Sequence, residues 1–435
     1  MPNHILRCAV CGAEYTPDPF RLQCDCPHAP SLLRAVYSAQ TLSVNPDLPG
    51  VFRYADWLPV ERWLDIPGKP ITYQSEKLAA YLGLDQLFVS FNGYCPERGA
   101  ALNTCSFKEL EAPPVLARIP AHHSQTLVIA SAGNTGRAFA NVCSSLQLPL
   151  CLVIPERNLS AIWSTHAFHP SVCLIGVGGN GDYSDAIALA RLISEMDGFF
   201  PEGGAANVAR RDGMGVTVVD AAATLGRIPD HYVQAVGSGT GGISAWEAHL
   251  RLLADGRFGT HRMKLHLAQN APFTPMVDAW AGRSPEIPVM DEAIAKSHIS
   301  QVSAQVLTNR QPAYSLAGGL YDALVETNGE MYAITNAASD RARQLFETLE
   351  GIDISPASGV ATAALIKAIA TGAIPKGDCV LLNITSGGIK RIQRDYPLQT
   401  LKPHILFTPN EITPDIVARR IETWDTRSPI ATQGC

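Results

Sequence analysis

Charge is what this sequence has least of. Asp, Glu, Lys and Arg make up 17% of the 435 residues, below the roughly 25% of an average soluble chain, while apolar residues reach 46%. That balance excludes a disordered chain of low hydropathy and suits one that buries much of itself. A basic excess is also missing: 34 Lys+Arg against 40 Asp+Glu leave a net charge of −6, which argues against nucleic-acid binding by counterion release. Long hydrophobic runs are absent. The longest, Leu148 to Pro155, is about eight residues, against roughly 20 for a membrane span. Met1 to Val10 lacks the basic and apolar segments of a secretory signal, so a soluble, cytoplasmic protein is the expectation. Repeats and low-complexity segments are missing too. The length allows about three domains at most, or one large α/β domain.

Cysteine, by contrast, is plentiful. Of 11 cysteines, four crowd into the start of the chain (Cys8, Cys11, Cys24, Cys26), and the others lie mostly in apolar context. Such usage points to metal, thiol or core roles rather than a disulfide framework. The body alternates strand-like and helix-like stretches. Leu127–Ala132, Leu150–Ile154, Val172–Val177, Tyr232–Val236, Lys264–Ala268 and Val380–Ile384 read as buried strands. Thr135–Leu146, Tyr183–Met196, Ile243–Leu253, Asp340–Leu349 and Val360–Ile369 read as helices. The alternation predicts parallel βαβ units, an α/β fold with its sheet covered on both faces. The last dozen residues, from about Trp424, read as a loosely attached tail.

Three segments carry chemistry. Gly237-Ser238-Gly239-Thr240-Gly241-Gly242 follows a strand and opens a helix, where free N–H groups and the helix dipole favour a phosphate. It is neither a dinucleotide fingerprint nor a Walker loop. Asn103-Thr104-Cys105-Ser106-Phe107-Lys108 sets one lysine after small polar residues, and Ser131-Ala132-Gly133-Asn134-Thr135-Gly136 joins a strand to a helix. Singly, these read as a surface lysine and a helix cap; their order carries the signal. In that order, with Phe52-Arg53-Tyr54, Val177-Gly178-Gly179-Asn180, Asn207 with Arg210, Asp212 and Gly213, and Thr385-Ser386-Gly387-Gly388-Ile389-Lys390, the chain resembles the threonine synthase group of fold-type II pyridoxal phosphate enzymes from about residue 50 to 395.

The resemblance implies a tryptophan synthase β-like architecture. A Cys-rich ribbon-like segment would span 1–35 and a catalytic region 36–425, whose smaller subdomain covers roughly 115–225, followed by a 426–435 tail. It implies that Lys108 carries pyridoxal 5'-phosphate and that Asn134 bonds the ring hydroxyl oxygen. Gly237, Ser238, Gly239, Thr240 and Gly241 would hold the phosphate, and Thr385 would face the pyridine nitrogen. An alcohol there does not stabilise a protonated ring, which favours elimination and replacement at Cβ over transamination. Ser131 and Thr135 would receive the substrate carboxylate and Asn207 its phosphate. Lys108-Glu109-Leu110-Glu111, with the preceding Phe91–Gly99, departs from threonine synthase. It is similar to the branch that makes L-cysteate from O-phospho-L-serine and sulfite for coenzyme M biosynthesis, which makes these the expected small-molecule substrates. Both anions call for positive potential, with Arg98, Arg210, Arg211, His166 and helix N-termini as candidates beside their ordinary structural roles. Glu109 and Glu111 are expected to cap or pair near the lysine.

Cys8-x-x-Cys11 and Cys24-x-Cys26 resemble two knuckles that would hold a structural Zn²⁺ through four thiolates, as in many threonine synthases. The second knuckle is one residue short, so His28 is an alternative ligand, and unmetallated cysteines in a loop are the plain reading. The group's habit implies a homo-oligomer, a trimer being the candidate state. Competing readings are threonine synthase on O-phosphohomoserine, a cysteine synthase-type sulfhydrylase, and a catalytically silent relative whose ribbon binds a partner.

Overall fold

Residues 3–131 and 133–425 are described by the structure, a computed structural model. The chain divides into two compact units, the first made of residues 1–118 and 205–392 and the second of 119–204 together with the segment from 393 onward. The expected tail, 426–435, lies outside the described residues. Among the described residues no helix is long and apolar enough to cross a membrane.

The first unit is built on a six-stranded sheet. Its order is Glu330–Ile334, Lys264–Asn270, His231–Ala235, Cys379–Ile384, Gln86–Phe91 and Ile71–Gln74. All neighbours run parallel except the last pair, where Ile71–Gln74 lies antiparallel at the edge. Cys379–Ile384 and His231–Ala235 are buried along their whole length. That is the signature of strands covered on both faces, and it is why their sequences lack polar alternation. Ala-rich Pro356–Ala370 and amphipathic Asn336–Glu350 supply one cover, packing Val360, Ala361, Ala364 and Phe346 against Val233, Val380 and Leu382. Small side chains let the buried helix come close to the sheet.

A three-stranded antiparallel sheet, in the order Glu14–Tyr15, His4–Cys8, Leu33–Tyr37, belongs to the same unit. It is tied to the helix Val208–Leu225 by Tyr37, whose hydroxyl donates to Asp212 at 2.5 Å, and by Arg211, which donates to the Leu33 carbonyl.

The second unit holds a wholly parallel five-stranded sheet in the order Phe199–Pro201, Thr126–Ala130, Leu150–Pro155, Val172–Val177, Ile405–Phe407. Its core joins Val153, Ile175, Leu189, Ile193, Phe407, Val417 and Ile421. The boundaries differ from the expected 115–225. Val208–Leu225 packs in the first unit, where Gly215 faces the backbone of Thr240–Asp255. The second unit instead recruits residues after 393, because Ile405–Phe407 completes its sheet edge.

Candidate active site

Lys108 sits on a single helical turn, Phe107–Leu110, that is fastened to the end of a core strand. Ser106 caps the turn by accepting from the Lys108 N–H at 3.3 Å. The Phe107 N–H donates to the Thr385 carbonyl at 2.9 Å, and the Ser386 hydroxyl donates to the Cys105 carbonyl at 2.6 Å. Cys105 takes a left-handed φ of 51°, a conformation that costs a non-glycine residue energy and is held here by those two anchors. The lysine backbone therefore has little freedom where the sheet ends.

Its amine lies 3.3 Å from the Glu111 carboxylate and 3.7 Å from the Met214 sulfur. Glu111 is fully buried and also accepts from Arg210 at 2.8 Å. Burial pushes this carboxyl upward, but Arg210 and Lys108 together outweigh it and hold the group below its ordinary value. Glu109 turns the other way, accepting from the Thr104 N–H at 2.7 Å and its hydroxyl at 2.8 Å.

The glycine loop reaches the same sheet edge. His231–Ala235 and Cys379–Ile384 run parallel with Val233 opposite Leu382, so Gly237 and Ser386, each four residues further on, leave the sheet together. Gly239 turns the chain with φ 80° into the helix Thr240–Asp255. A side chain at Gly241 would run into the Gln234 amide beneath it. Gln234 is fixed by a buried chain that sequence reading missed: Asn92 donates to Asn383 at 2.8 Å, and Asn383 donates to the Tyr232 hydroxyl at 2.6 Å and to Gln234 at 3.1 Å. The signal was an asparagine inside the apolar strand Cys379–Ile384. The Ser238 carbonyl is held by the Ala313 N–H at 2.9 Å, while the N–H groups of Gly237, Ser238 and Gly239 meet no protein acceptor among the described residues. Free amides at the start of a 16-residue helix fit a phosphate monoester. With a buried-edge lysine nearby, the donor set fits pyridoxal phosphate: an amine for its aldehyde, amides for its phosphate, and the buried Thr385 beside the lysine turn.

Three expected residues lie in the second unit. The Ser131 hydroxyl accepts from the N–H groups of Gly133 and Gly136, at 3.1 and 2.8 Å, and so satisfies an N–H in the first turn of the helix Asn134–Leu146. Asn134 accepts from Arg137 at 2.7 Å, and Thr135 is half-buried on the first turn. In the first unit, Asn207 caps Val208–Leu225 by accepting from the Ala209 N–H at 3.0 Å. Of the cationic candidates, Arg98 stacks on Tyr73 and pairs with Glu350, Arg211 pairs with Glu247, and His166 meets the Thr165 hydroxyl at 2.9 Å.

The N-terminal cysteines gather, with one exchange. Ligand atoms of Cys8, Cys11, Cys24 and His28 all lie within 4.8 Å of one another. Cys26 is outside that group and contributes its backbone N–H to the Cys24 sulfur at 3.4 Å. His28, four residues after Cys24, reaches back to it at 3.3 Å. The other His28 nitrogen, Nδ1, faces the Ala29 carbonyl at 2.7 Å, which leaves Nε2 to face the sulfurs. The Tyr15 hydroxyl above all, with the Cys26 N–H and His28, draws the Cys24 thiol down to about 6 against its desolvation.

Comparison with known proteins agrees with this geometry. The family model for pyridoxal-phosphate dependent enzymes matches residues 97–386. A cysteate synthase of Methanocella paludicola is 48% identical over 430 residues, covering 98% of this chain and 99% of its own. One from Methanosarcina mazei is 50% identical over 416 residues, covering 95% and 99%. Among solved structures, serine racemase from Dictyostelium discoideum shares 16% identity with a TM-score of 0.51, covering 73% of this chain and 91% of that one. A hydrogen sulfide-producing enzyme from Fusobacterium nucleatum shares 14% with a TM-score of 0.54, covering 74% and 96%; both show the fold alone. With the lysine turn, the glycine loop and relatives that span nearly the whole chain in agreement, this chain belongs to the cysteate synthase family of fold-type II pyridoxal-phosphate dependent enzymes.

Proposed function

We propose that the protein makes L-cysteate by replacing the phosphate of O-phospho-L-serine with sulfite at Cβ. The observation that carries this reading is Lys108, anchored through Thr385 and Ser386 at the sheet edge where the glycine loop begins. When bound, pyridoxal phosphate supplies the electron sink that lets Cα shed its proton and Cβ its phosphate. The chain's own groups do the rest. Lys108 carries the cofactor and, once its amine is free, takes the Cα proton and later returns it. The amides of Gly237 to Gly241, with Ser238 and Thr240, grip the cofactor phosphate. Thr385 offers the ring nitrogen a neutral alcohol, which directs electrons toward loss of the Cβ substituent. Asn134 serves the ring hydroxyl oxygen, Ser131 and Thr135 with their helix amides serve the substrate carboxylate, and Asn207 serves the substrate phosphate.

The test is product analysis. Cysteate and stoichiometric phosphate from phosphoserine plus sulfite support the reading; threonine from phosphohomoserine, or cysteine in preference when sulfide is supplied, overturns it. Borohydride reduction should fix the cofactor on the peptide that contains Lys108. The same reading includes a homo-oligomer, checked by light scattering.

A second site follows from the N-terminal geometry. Cys8, Cys11, Cys24 and His28 hold a structural zinc, because four protein ligands close a tetrahedral site. Metal analysis should find stoichiometric zinc that His28→Ala loses and Cys26→Ser retains; the reverse pattern restores the all-cysteine set.

A further inference from the structure

Beside Lys108 the mechanism leaves the buried charge of Glu111 unexplained. Glu111 is fully buried, yet both partners of its carboxylate are cations: Lys108 at 3.3 Å on one oxygen and Arg210 at 2.8 Å on the other. Burying a carboxylate costs several kcal/mol unless it is paired, so this one is kept for what it holds. The approach of the two segments is built in. Gly213, three residues after Arg210, sits against the Leu110 carbonyl and the Glu111 backbone, where a side chain would not fit.

We propose that Glu111 is a positioning residue that receives the Lys108 ammonium whenever the lysine is released from the cofactor, and that anchors Arg210 throughout the cycle. This rests on the reading that Lys108 carries the cofactor. The released amine takes the Cα proton and becomes an ammonium. Glu111 accepts a hydrogen bond from it without taking the proton, so the ammonium keeps that proton for return to Cα after the carbon–sulfur bond has formed. Among the described residues the Lys108 amine pairs with Glu111 on its own turn and, through Glu111, is linked to Arg210 from Val208–Leu225. From that helix Met214 also touches the amine, Glu109 is committed to Thr104, and the uncharged Thr385 and Ser386, just past the core strand, meet the backbone of the lysine turn.

The experiment follows the holoenzyme's visible spectrum against pH. Its midpoint reports the proton on the Lys108 nitrogen bonded to the cofactor. Glu111→Gln removes a negative charge and leaves Arg210 uncompensated, so the midpoint should fall by about one pH unit, with kcat down about tenfold. Glu111→Asp, which keeps the charge but withdraws it, should fall by less and recover most of kcat. Arg210→Gln should raise the midpoint. A residue with a purely structural role would lower the melting temperature and leave the midpoint in place. Midpoints unchanged in whichever of the three variants fold overturn the proposal. A wild-type enzyme with no visible chromophore, or borohydride trapping at another lysine, overturns the cofactor reading instead.

Discussion

Arg210 and Arg211 are neighbours on one helix and could not be more differently placed. The Arg210 side chain keeps 12% of its surface exposed and meets the carboxylate that also holds Lys108. Arg211 has no exposure at all, pairs with Glu247 at 2.9 Å and donates to the carbonyls of Ala205 and Leu33. One residue of helix turns a side chain by about 100°, so adjacent arginines face different parts of the unit. The first belongs to the lysine turn, whereas the second ties the N-terminal sheet to the helix. The lesson is that a cation's role is set by the face it occupies and by who already owns its donors. Arg211 has its donors committed to protein acceptors.

This contrast can be broken in several ways. Lys108→Ala, the reference for a purely chemical loss, should cut cysteate formation by at least about a thousandfold while the melting temperature barely moves, read by product assay beside thermal unfolding. Arg211→Ala should do the converse. It takes from the buried Glu247 its nearer partner, leaving Arg34 at 3.4 Å, and removes the donors to the Ala205 and Leu33 carbonyls, so urea unfolding should show a loss of about 3 kcal/mol, and activity per folded molecule should stay close to wild type. Arg210→Ala should lower kcat/KM for phosphoserine about a hundredfold, with a smaller stability loss than Arg211→Ala. If the two arginine variants behave alike, the contrast fails.

A third buried polar cluster sharpens the comparison because it touches neither arginine. Tyr332 can donate to His266 at 2.8 Å, His266 to His231 at 2.9 Å, and His231 to Asp378 at 2.9 Å, so every donor meets an acceptor with the His266 ring neutral. Burial, with nearby His231 and Lys264, draws His266 down from 6.5 to about 3. Between those values the unfolded chain holds a proton that the folded one refuses, so stability falls as pH drops below about 6.5. By pH 5 the loss from His266 should be about 2 kcal/mol, measured by urea unfolding at pH 5 and 7.5. His266→Gln should flatten that dependence.

How much was legible depended on how local the cause was. Val172–Val177 matches its expected span, and the other core strands differ by a residue or two, because unbroken apolar runs between turns declare a buried strand without outside help. The glycine loop was legible for the same reason: its conformation and the helix it opens are set within a few residues. Ile71–Gln74, half-buried and antiparallel, was not, since an edge strand is defined by its neighbour. The unit boundary was missed because Ile405–Phe407 joins a sheet whose other strands end some two hundred residues earlier in the chain. His28 rather than Cys26 completes the group of ligand atoms within 4.8 Å, which the spacing only hinted at.

By itself the sequence determined the fold class, the glycine loop with the helix it opens, and the order of the segments, because each is written in contiguous residues whose chemistry does not depend on distant partners. Tertiary structure alone decided which carboxylate faces Lys108, which of two adjacent arginines joins it, and which four side chains gather at the N-terminal cluster. Those choices turn on helix phase and on contacts between segments about 100 residues apart, such as Glu111 and Arg210, and such pairings exist only once the backbone has closed around them.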